Sequence, residues 1–177
     1  MKFQIEIPGS KSYTNRALFI AAMIHSPVKI LNPLICDDTK AMTDCLRALK
    51  VSGNLNAHLS GTTLRFLLAL ATVTPGTKTL YGNEGLNKRP IAELVSALTQ
   101  LGAKIEYLGK TGYPPVKILP SKLNPGTIKI NGSVSSQFIS AILMIAPKIG
   151  GLNLEVTGKQ ISKPYIDMTI DIMKHFG

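Results

Sequence analysis

The chain has 177 residues, of which 45% are hydrophobic and 17% charged, a balance that is typical of a globular protein and excludes a disordered one. Lysines and arginines number 20 against 10 aspartates and glutamates, and the formal charge of +10 fits a nucleic acid, an acidic lipid or a small anionic substrate. No apolar run is long enough to cross a bilayer, and the N-terminus lacks the apolar core of a signal peptide, so we expect a cytoplasmic protein without a membrane partner.

The first predicted elements along the chain form a pattern that recurs twice more. A glycine and small polar residues lead into an apolar helix, a β-like stretch follows, and a second helix begins with its own start signal. The pattern predicts an α/β protein made of repeated units. In chain order, the predicted first helices are 16–24, 64–73 and 138–145, the β-like stretches are 28–31, 77–81 and 152–156, and the second helices begin at Asp37-Asp38-Thr39, at Arg89-Pro90 with proline as first helical residue, and at Ser162.

The copies differ after their second helices. After Gly102, a predicted C′ residue like Gly177, three strands are expected at 103–108, 116–119 and 127–130, between proline-containing turns. The first copy has only about ten residues after Lys50, so we expect its strand pair to be absent. The chain therefore is predicted to be a βαβαββ unit repeated three times, at about 1–55, 56–131 and 132–177, with the first and third incomplete. Loss of the first hairpin predicts partial exposure of the helix face that carries Ala41, Cys45, Leu46 and Leu49.

Polar side chains gather where the predicted helices begin. Hydroxyls, an amide and free backbone N–H groups at a helix N-terminus suit a phosphate or carboxylate, and arginine grips such groups with two bonds. Each feature alone has a simpler explanation, since a serine there usually caps the helix and Arg89 can be a surface residue. Their recurrence in three copies predicts one anion-binding cleft. The residues are Lys11, Ser12, Arg16, Arg89, Ser135, Ser136, Gln137 and Ser162.

Other candidates for chemistry are weaker. The three histidines and two cysteines lack the spacing of a metal site, so we expect no metal and two reduced thiols. Asp37 and Asp38 can form a carboxylate pair for acid–base catalysis. Because they are adjacent and precede a helix, however, the first interpretation is a helix cap. Tyr165 is either a core residue or a floor beneath a ligand.

Four of these segments resemble, in order, the signatures of the 5-enolpyruvylshikimate-3-phosphate (EPSP) synthase family. The related UDP-N-acetylglucosamine enolpyruvyl transferases fit poorly, because neither cysteine lies in a loop like their reactive one. The resemblance implies one lobe of an inside-out α/β barrel of two lobes, each made of three βαβαββ units. The four segments are residues 8–16, 88–91, 132–138 and 162–167.

The resemblance also implies an activity and a set of site residues. The reaction is transfer of the enolpyruvyl group of phosphoenolpyruvate to the 5-hydroxyl of shikimate 3-phosphate, in chorismate biosynthesis, without a metal or organic cofactor. Phosphoenolpyruvate would be held by Lys11 and Arg89, with Gly61 and Gln137 beside it. Shikimate 3-phosphate would be held through its ring by Ser12, Arg16 and Tyr165, and through its phosphate by Ser135, Ser136 and Ser162.

Three departures from the family qualify this expectation. Leu59 stands where the family has an asparagine, the hairpin after Lys50 is missing, and a C-terminal lobe with the proton-transfer residues is missing too. No catalytic residue is assignable here, and the expected partner is that C-terminal lobe, in the same or a separate chain. The alternative is a non-catalytic anion-binding or regulatory module. A nucleic-acid binder is disfavoured because only 6% of residues are aromatic.

Overall fold

The computed structural model describes residues 5, 7–133 and 135–177. Part of the predicted first unit, residues 1–4 and 6, lies outside them, as does Val134 in the third signature segment. The described chain alternates helices and strands. They are α1 (Lys11–Met23), α2 (Asp37–Val51), β1 (Asn54–Asn56), α3 (Gly61–Thr72), β2 (Lys78–Tyr81), α4 (Glu84–Asn87), α5 (Ala92–Gln100), β3 (Lys104–Tyr107), β4 (Val116–Leu119), β5 (Thr127–Asn131), α6 (Ser136–Ile145) with a 3₁₀ turn at Ala146–Ile149, β6 (Asn153–Thr157) and α7 (Lys163–His175).

The strands form two sheets. One has the order β1-β2-β4-β3, with β1 and β2 parallel and the remaining pairs antiparallel. The other is the parallel pair β5–β6, in register from Thr127 opposite Asn153 to Asn131 opposite Thr157. Parallel neighbours need a crossover connection, and α3 and α6 supply it in the two cases. This arrangement places the protein in the α/β class. It also places α3 and α6 in the interior.

Helices α3 and α6 form the centre of the core. Ten of the twelve residues of α3 and eight of the ten residues of α6 are buried. A helix that is apolar on nearly every side is stable only when it is enclosed. Phe66 of α3 lies edge-on to Phe19 of α1, with ring centroids 5.9 Å apart. The other long helices bury one face each, so α1, α2, α5 and α7 pack around this centre.

Most predicted elements are confirmed, and three predictions are wrong. Residues 28–31 form no strand, because no described residue offers them a ladder, and Val28 and Leu31 are exposed. Pro90 is not the first residue of α5: Ile91 is the N-cap and the helix begins at Ala92. The predicted cap of α2, Asp37-Asp38-Thr39, is wrong in its N-cap residue, which is Cys36; of the three residues only Thr39 takes part, since its Oγ1 accepts from the Cys36 backbone N–H over 3.0 Å.

The expected exposure of the α2 face is also wrong. Ala41, Cys45 and Leu49 are buried and Leu46 is partly buried. A strand that the sequence did not predict, β1, covers this face, and the Cys45 thiol lies 3.1 Å from the carbonyl oxygen of Asn56. Burial raises the pKa of Cys45 to about 12, which keeps it an unreactive thiol. The sharp reversal between α2 and β1 uses Gly53, whose φ of +71° suits glycine.

Candidate functional site

A cavity of about 430 Å³ lies where the N-terminal ends of four helices meet. Helices α1, α3, α6 and α7 each contribute residues from their first turns or from the residues just before them. The unpaired backbone N–H groups and the positive end of the helix dipole at each of these termini favour an anion. The lining residues are Lys11, Ser12, Asn15, Arg16, Thr62, Ser135, Ser136, Gln137, Ile161, Ser162 and Tyr165.

The structure brings together eight of the ten residues implied by the family resemblance. The two exceptions, Gly61 and Arg89, lie next to each other in a second cluster described below. Tyr165 is about half exposed and lines the cavity. It is therefore not a core residue, the first of the two alternatives that the sequence left open. Leu59 is exposed and lines a different depression, beside Asp37 and Ser60.

Arg16 is the most buried cation at the cavity, with 2% of its surface exposed. Its Nε donates to Thr169 Oγ1 over 2.7 Å, and its Nη2 donates to Ser140 Oγ over 3.1 Å and to the Tyr165 carbonyl over 3.2 Å. The side chain therefore ties α1 to α6 and α7. Burial lowers the pKa of Arg16 to about 10, and no described carboxylate pairs with it. Its charge is left for an anion in the cavity to balance.

Four serines line the cavity, and the three that belong to α6 and α7 or precede these helices differ in how their hydroxyls are used. Ser135 is the N-cap of α6 and accepts a hydrogen bond from the Gln137 backbone N–H over 3.2 Å. Ser136 is buried in the first turn of the same helix. Ser162, the N-cap of α7, makes no side-chain capping bond and has a left-handed backbone with φ +55°. A serine in this conformation is strained, and such strain often accompanies a binding role.

A second cluster adjoins the cavity through Gln137. The Gln137 amide donates to Thr62 Oγ1 over 3.1 Å and accepts from Arg65 Nη1 over 3.1 Å. Burial, and then the nearby charge of Arg89, lower the pKa of Arg65. Neither guanidinium makes a salt bridge within the described part of the chain, although Asp38 is close enough for the charge of Arg89 to help lower its pKa. Sequence analysis missed Arg65; its place four residues after Gly61 on α3 was the available signal.

Lys11 is engaged in a different way. Its ammonium group pairs with Asp38 over 2.6 Å, and this hydrogen bond and charge raise the pKa of Lys11. Burial opposes ionisation of Asp38, but hydrogen bonds from Lys11 and Ser60 outweigh it and the pKa of Asp38 is lowered. Asp38 thus holds Lys11 at the cavity rim, and an anion that binds Lys11 must share it with this carboxylate.

Nowhere in residues 5, 7–133 and 135–177 do three or more histidine, cysteine, aspartate or glutamate side chains cluster as metal ligands do. Within those residues, no helix combines the length and apolarity that a membrane crossing requires.

The fold and the cavity define one lobe of an α/β protein whose site has the features that bind small anions. The chain belongs to the EPSP synthase family: the family model described as EPSP synthase (3-phosphoshikimate 1-carboxyvinyltransferase) matches residues 1–56 and 52–177. It corresponds to the N-terminal lobe of that family.

Relatives named 3-phosphoshikimate 1-carboxyvinyltransferase resemble the chain along nearly all of its length. One from Sulfurovum sp. is 40% identical over 199 residues, which cover 98% of this chain and 47% of the relative. One from Bacteroides fragilis is 43% identical over 180 residues, covering 100% and 43%. The solved EPSP synthase from Acinetobacter baumannii superposes with a TM-score of 0.83 at 22% identity, over 98% of this chain and 44% of that one. The chain therefore spans a little under half the length of these relatives.

The two alignments differ in length, and the difference bears on the missing hairpin. The alignment with the Sulfurovum relative is longer, 199 residues against 180 for the Bacteroides relative. The two matched stretches of the family model meet at residues 52–56, directly after α2. A short connection from α2 to β1 can thus occur in a relative of which this chain covers only 43%. The burial of the α2 face agrees with such a short connection.

Proposed function

We propose that this lobe holds shikimate 3-phosphate for an enzyme that transfers the enolpyruvyl group of phosphoenolpyruvate to its 5-hydroxyl. The observation that carries the proposal is the cavity at which four helix N-termini and eight of the implied residues meet. We assign the 3-phosphate to Ser135, Ser136 and Ser162, whose hydroxyls and helix N-termini suit a dianion. The ring lies against Tyr165, with Ser12 and Arg16 at its polar groups.

We assign phosphoenolpyruvate to the second cluster. Arg89 and Arg65 present two cations that an anion can bridge, and Gln137 and Lys11 connect this cluster to the first cavity. Gly61 leaves room for both guanidinium groups: a Cβ there would lie 2.6 Å from Arg65 Nη1 and 2.9 Å from Arg89 Nη1. The two substrates therefore lie side by side, held against their mutual repulsion.

The role of this lobe in the reaction is positioning and charge stabilisation. The substrate hydroxyl gives up its proton and attacks C2 of phosphoenolpyruvate while C3 gains a proton, and the tetrahedral adduct then loses phosphate and one C3 proton to give the enol ether. Fixed cations and N–H dipoles beside both anions lower the entropic and electrostatic barriers. We assign proton transfer to the C-terminal lobe, because the titratable side chains that line the cavity, Lys11, Arg16 and Tyr165, already bind substrate in our assignment. No cofactor enters the proposal, and we place the enzyme in the cytoplasm without nucleic-acid or membrane partners.

We also propose that the lobe consists of three βαβαββ-type units, at about 1–55, 56–131 and 132–177. The parallel crossovers β1–α3–β2 and β5–α6–β6 support a repeated unit. In this proposal the first and third units are incomplete within the 177 residues.

The 177-residue chain alone is expected to show no measurable enolpyruvyl transfer, since proton transfer and the remaining anion contacts contribute several orders of magnitude in rate. Mixed with the C-terminal half of the Bacteroides fragilis relative, it is expected to release phosphate from the two substrates. Phosphate release by the chain alone at the rate of the mixture would contradict the proposal. Binding of shikimate 3-phosphate without activity in any mixture would favour a non-catalytic anion-binding module.

Replacing Gly61 by alanine is expected to raise the KM for phosphoenolpyruvate in that mixture about tenfold, a loss of about 1.4 kcal/mol. The added Cβ displaces the guanidinium groups of Arg65 and Arg89, which bond to none of the six residues assigned to shikimate 3-phosphate, so the KM for that substrate is expected to stay the same. The matched control is Gly85→Ala, where a Cβ meets nothing closer than 3.9 Å. An equal rise in both KM values would show that the two clusters do not bind separate substrates.

A further inference from the structure

One face of α1 carries a fourth polar residue that the family resemblance did not single out. Lys11, Ser12, Asn15 and Arg16 are spaced at i, i+1, i+4 and i+5, so Asn15 lies one turn along from Lys11 and Ser12 and beside Arg16. All four line the shikimate 3-phosphate cavity. Thr14, on another face, instead bonds to the Ser10 carbonyl and the Leu34 N–H. Asn15 therefore belongs to the cavity wall.

The side chain of Asn15 is fully buried, and its carboxamide is unpaired. Neither Oδ1 nor Nδ2 has a hydrogen-bond partner among residues 5, 7–133 and 135–177. The hydroxyl groups of Thr169 and Ser140, which contact Arg16, already have hydrogen-bond partners. Thr169 Oγ1 donates to the Tyr165 carbonyl over 2.7 Å and lies 2.8 Å from Ser140 Oγ. By contrast, the Asn87 amide both accepts from the Gly82 N–H and donates to the Gly82 carbonyl. A buried amide without partners is strongly unfavourable unless a ligand completes it.

The chemistry of the amide limits what that ligand group can be. A phosphate or carboxylate oxygen only accepts, so it can satisfy Nδ2 and leaves Oδ1 unpaired. A hydroxyl group accepts from Nδ2 and donates to Oδ1. Arg16 beside it is a cation and suits an anionic group, so the neutral amide suits an uncharged group of the same molecule.

We propose that Asn15 binds a ring hydroxyl of the substrate in this cavity and selects for ligands that carry one. The inference rests on the proposed function, because it takes shikimate 3-phosphate as the occupant. It makes Asn15 a specificity-determining residue: an analogue that lacks the hydroxyl leaves a buried amide unpaired and is rejected, whereas a pocket without such an amide cannot discriminate strongly.

The test compares Asn15→Leu, which keeps the volume and removes the amide, with the wild-type chain. The melting temperature of the free variant is expected to rise, because an unpaired buried amide is replaced by an apolar group. Its Kd for shikimate 3-phosphate in calorimetric titration is expected to rise about tenfold, as expected for the loss of two hydrogen bonds. The Kd for inorganic phosphate, which has no ring hydroxyl, is expected to stay within about twofold.

Two further variants keep the test decisive. Asn87→Leu removes an amide that is paired within the protein, so it is expected to lower the melting temperature and leave the affinity for shikimate 3-phosphate unchanged. Asn15→Ala adds no bulk and covers the case in which leucine prevents folding; it is expected to weaken shikimate 3-phosphate binding in the same way.

The outcomes separate this inference from the proposed function. Wild-type binding of shikimate 3-phosphate with equal affinity in both Asn15 variants overturns the inference alone. A fall in the melting temperature of Asn15→Leu, with equal weakening of phosphate and shikimate 3-phosphate binding, shows that the amide pairs within the protein and also overturns it. Failure of the wild-type chain to bind shikimate 3-phosphate overturns both.

Discussion

Shikimate 3-phosphate is expected to raise the Tm of the 177-residue chain, while phosphoenolpyruvate alone has little effect. All six residues assigned to shikimate 3-phosphate lie in this lobe and line one cavity. A ligand at one hundred times its Kd stabilises the folded state by about 2.7 kcal/mol, which raises the Tm of a chain of this size by about 5–10 °C. Phosphoenolpyruvate lacks the contacts that we assign to the C-terminal lobe. Thermal unfolding at increasing ligand concentration measures both effects.

A double substitution, Ser135→Ala with Ser136→Ala, is expected to abolish this rise. Hydrogen bonds to a charged group contribute about 1.5–3 kcal/mol each, so loss of two removes the binding energy that the shift reports. Ser135 also caps α6, and its removal lowers the Tm of the free chain by a further cap contribution of about 1 kcal/mol. Each variant is therefore compared with its own ligand-free Tm.

Arg89→Ala is the matched control for the serine pair. Arg89 is exposed and lies beside Gly61, outside the shikimate 3-phosphate cavity, so the shift is expected to persist nearly unchanged. If Arg89→Ala loses the shift and the serine pair retains it, the two substrates have been assigned to the wrong clusters.

The second large effect concerns Arg16. Arg16→Ala is expected to destabilise the chain by about 3 kcal/mol, which lowers its Tm by about 6–12 °C. The substitution removes the hydrogen bonds that join α1 to α6 and α7 and the contact of the guanidinium with the Phe66 ring, 5.3 Å from its centroid. Recovery of the desolvation of the buried cation offsets only part of this loss. Equilibrium unfolding in urea gives the free energy directly.

Two variants locate the cause of that loss. Arg47→Ala removes an exposed arginine whose ion pair with Asp44 is 3.6 Å long, and its effect is expected to stay below about 0.5 kcal/mol. Arg16→Lys keeps the charge but not the fork of donors, so it is expected to lose most of the stability that alanine loses. Full stability of Arg16→Lys would show that charge, rather than the joining of three helices, is what Arg16 contributes.

Local signals explain how much of the fold followed from the sequence. The strands at 116–119 and 127–130 and the helices after Gly61 and Gly132 carry period-two or helical patterns between glycine and proline, and the structure confirms them. Residues 28–31 have the same β-like composition but no described partner strand. By contrast, β1 (Asn54–Asn56) has only three residues, two polar and one apolar. It forms a strand only because it pairs with β2. Pairing across the sheet, rather than propensity, decides such short segments.

The sequence by itself determined the repeated α/β pattern, the excess of positive charge and the polar residues at helix starts, because these depend on neighbours within one or two turns. Only the tertiary structure decided which of those residues meet. Crossover packing of α3 and α6 brings four helix N-termini to one cavity and places Gly61 and Arg89 beside it with Arg65. It also pairs Lys11 with Asp38 and buries the Asn15 amide with no hydrogen-bond partner among the described residues. These contacts join residues up to 153 positions apart, as between Arg16 and Thr169, and no local pattern encodes such a distance.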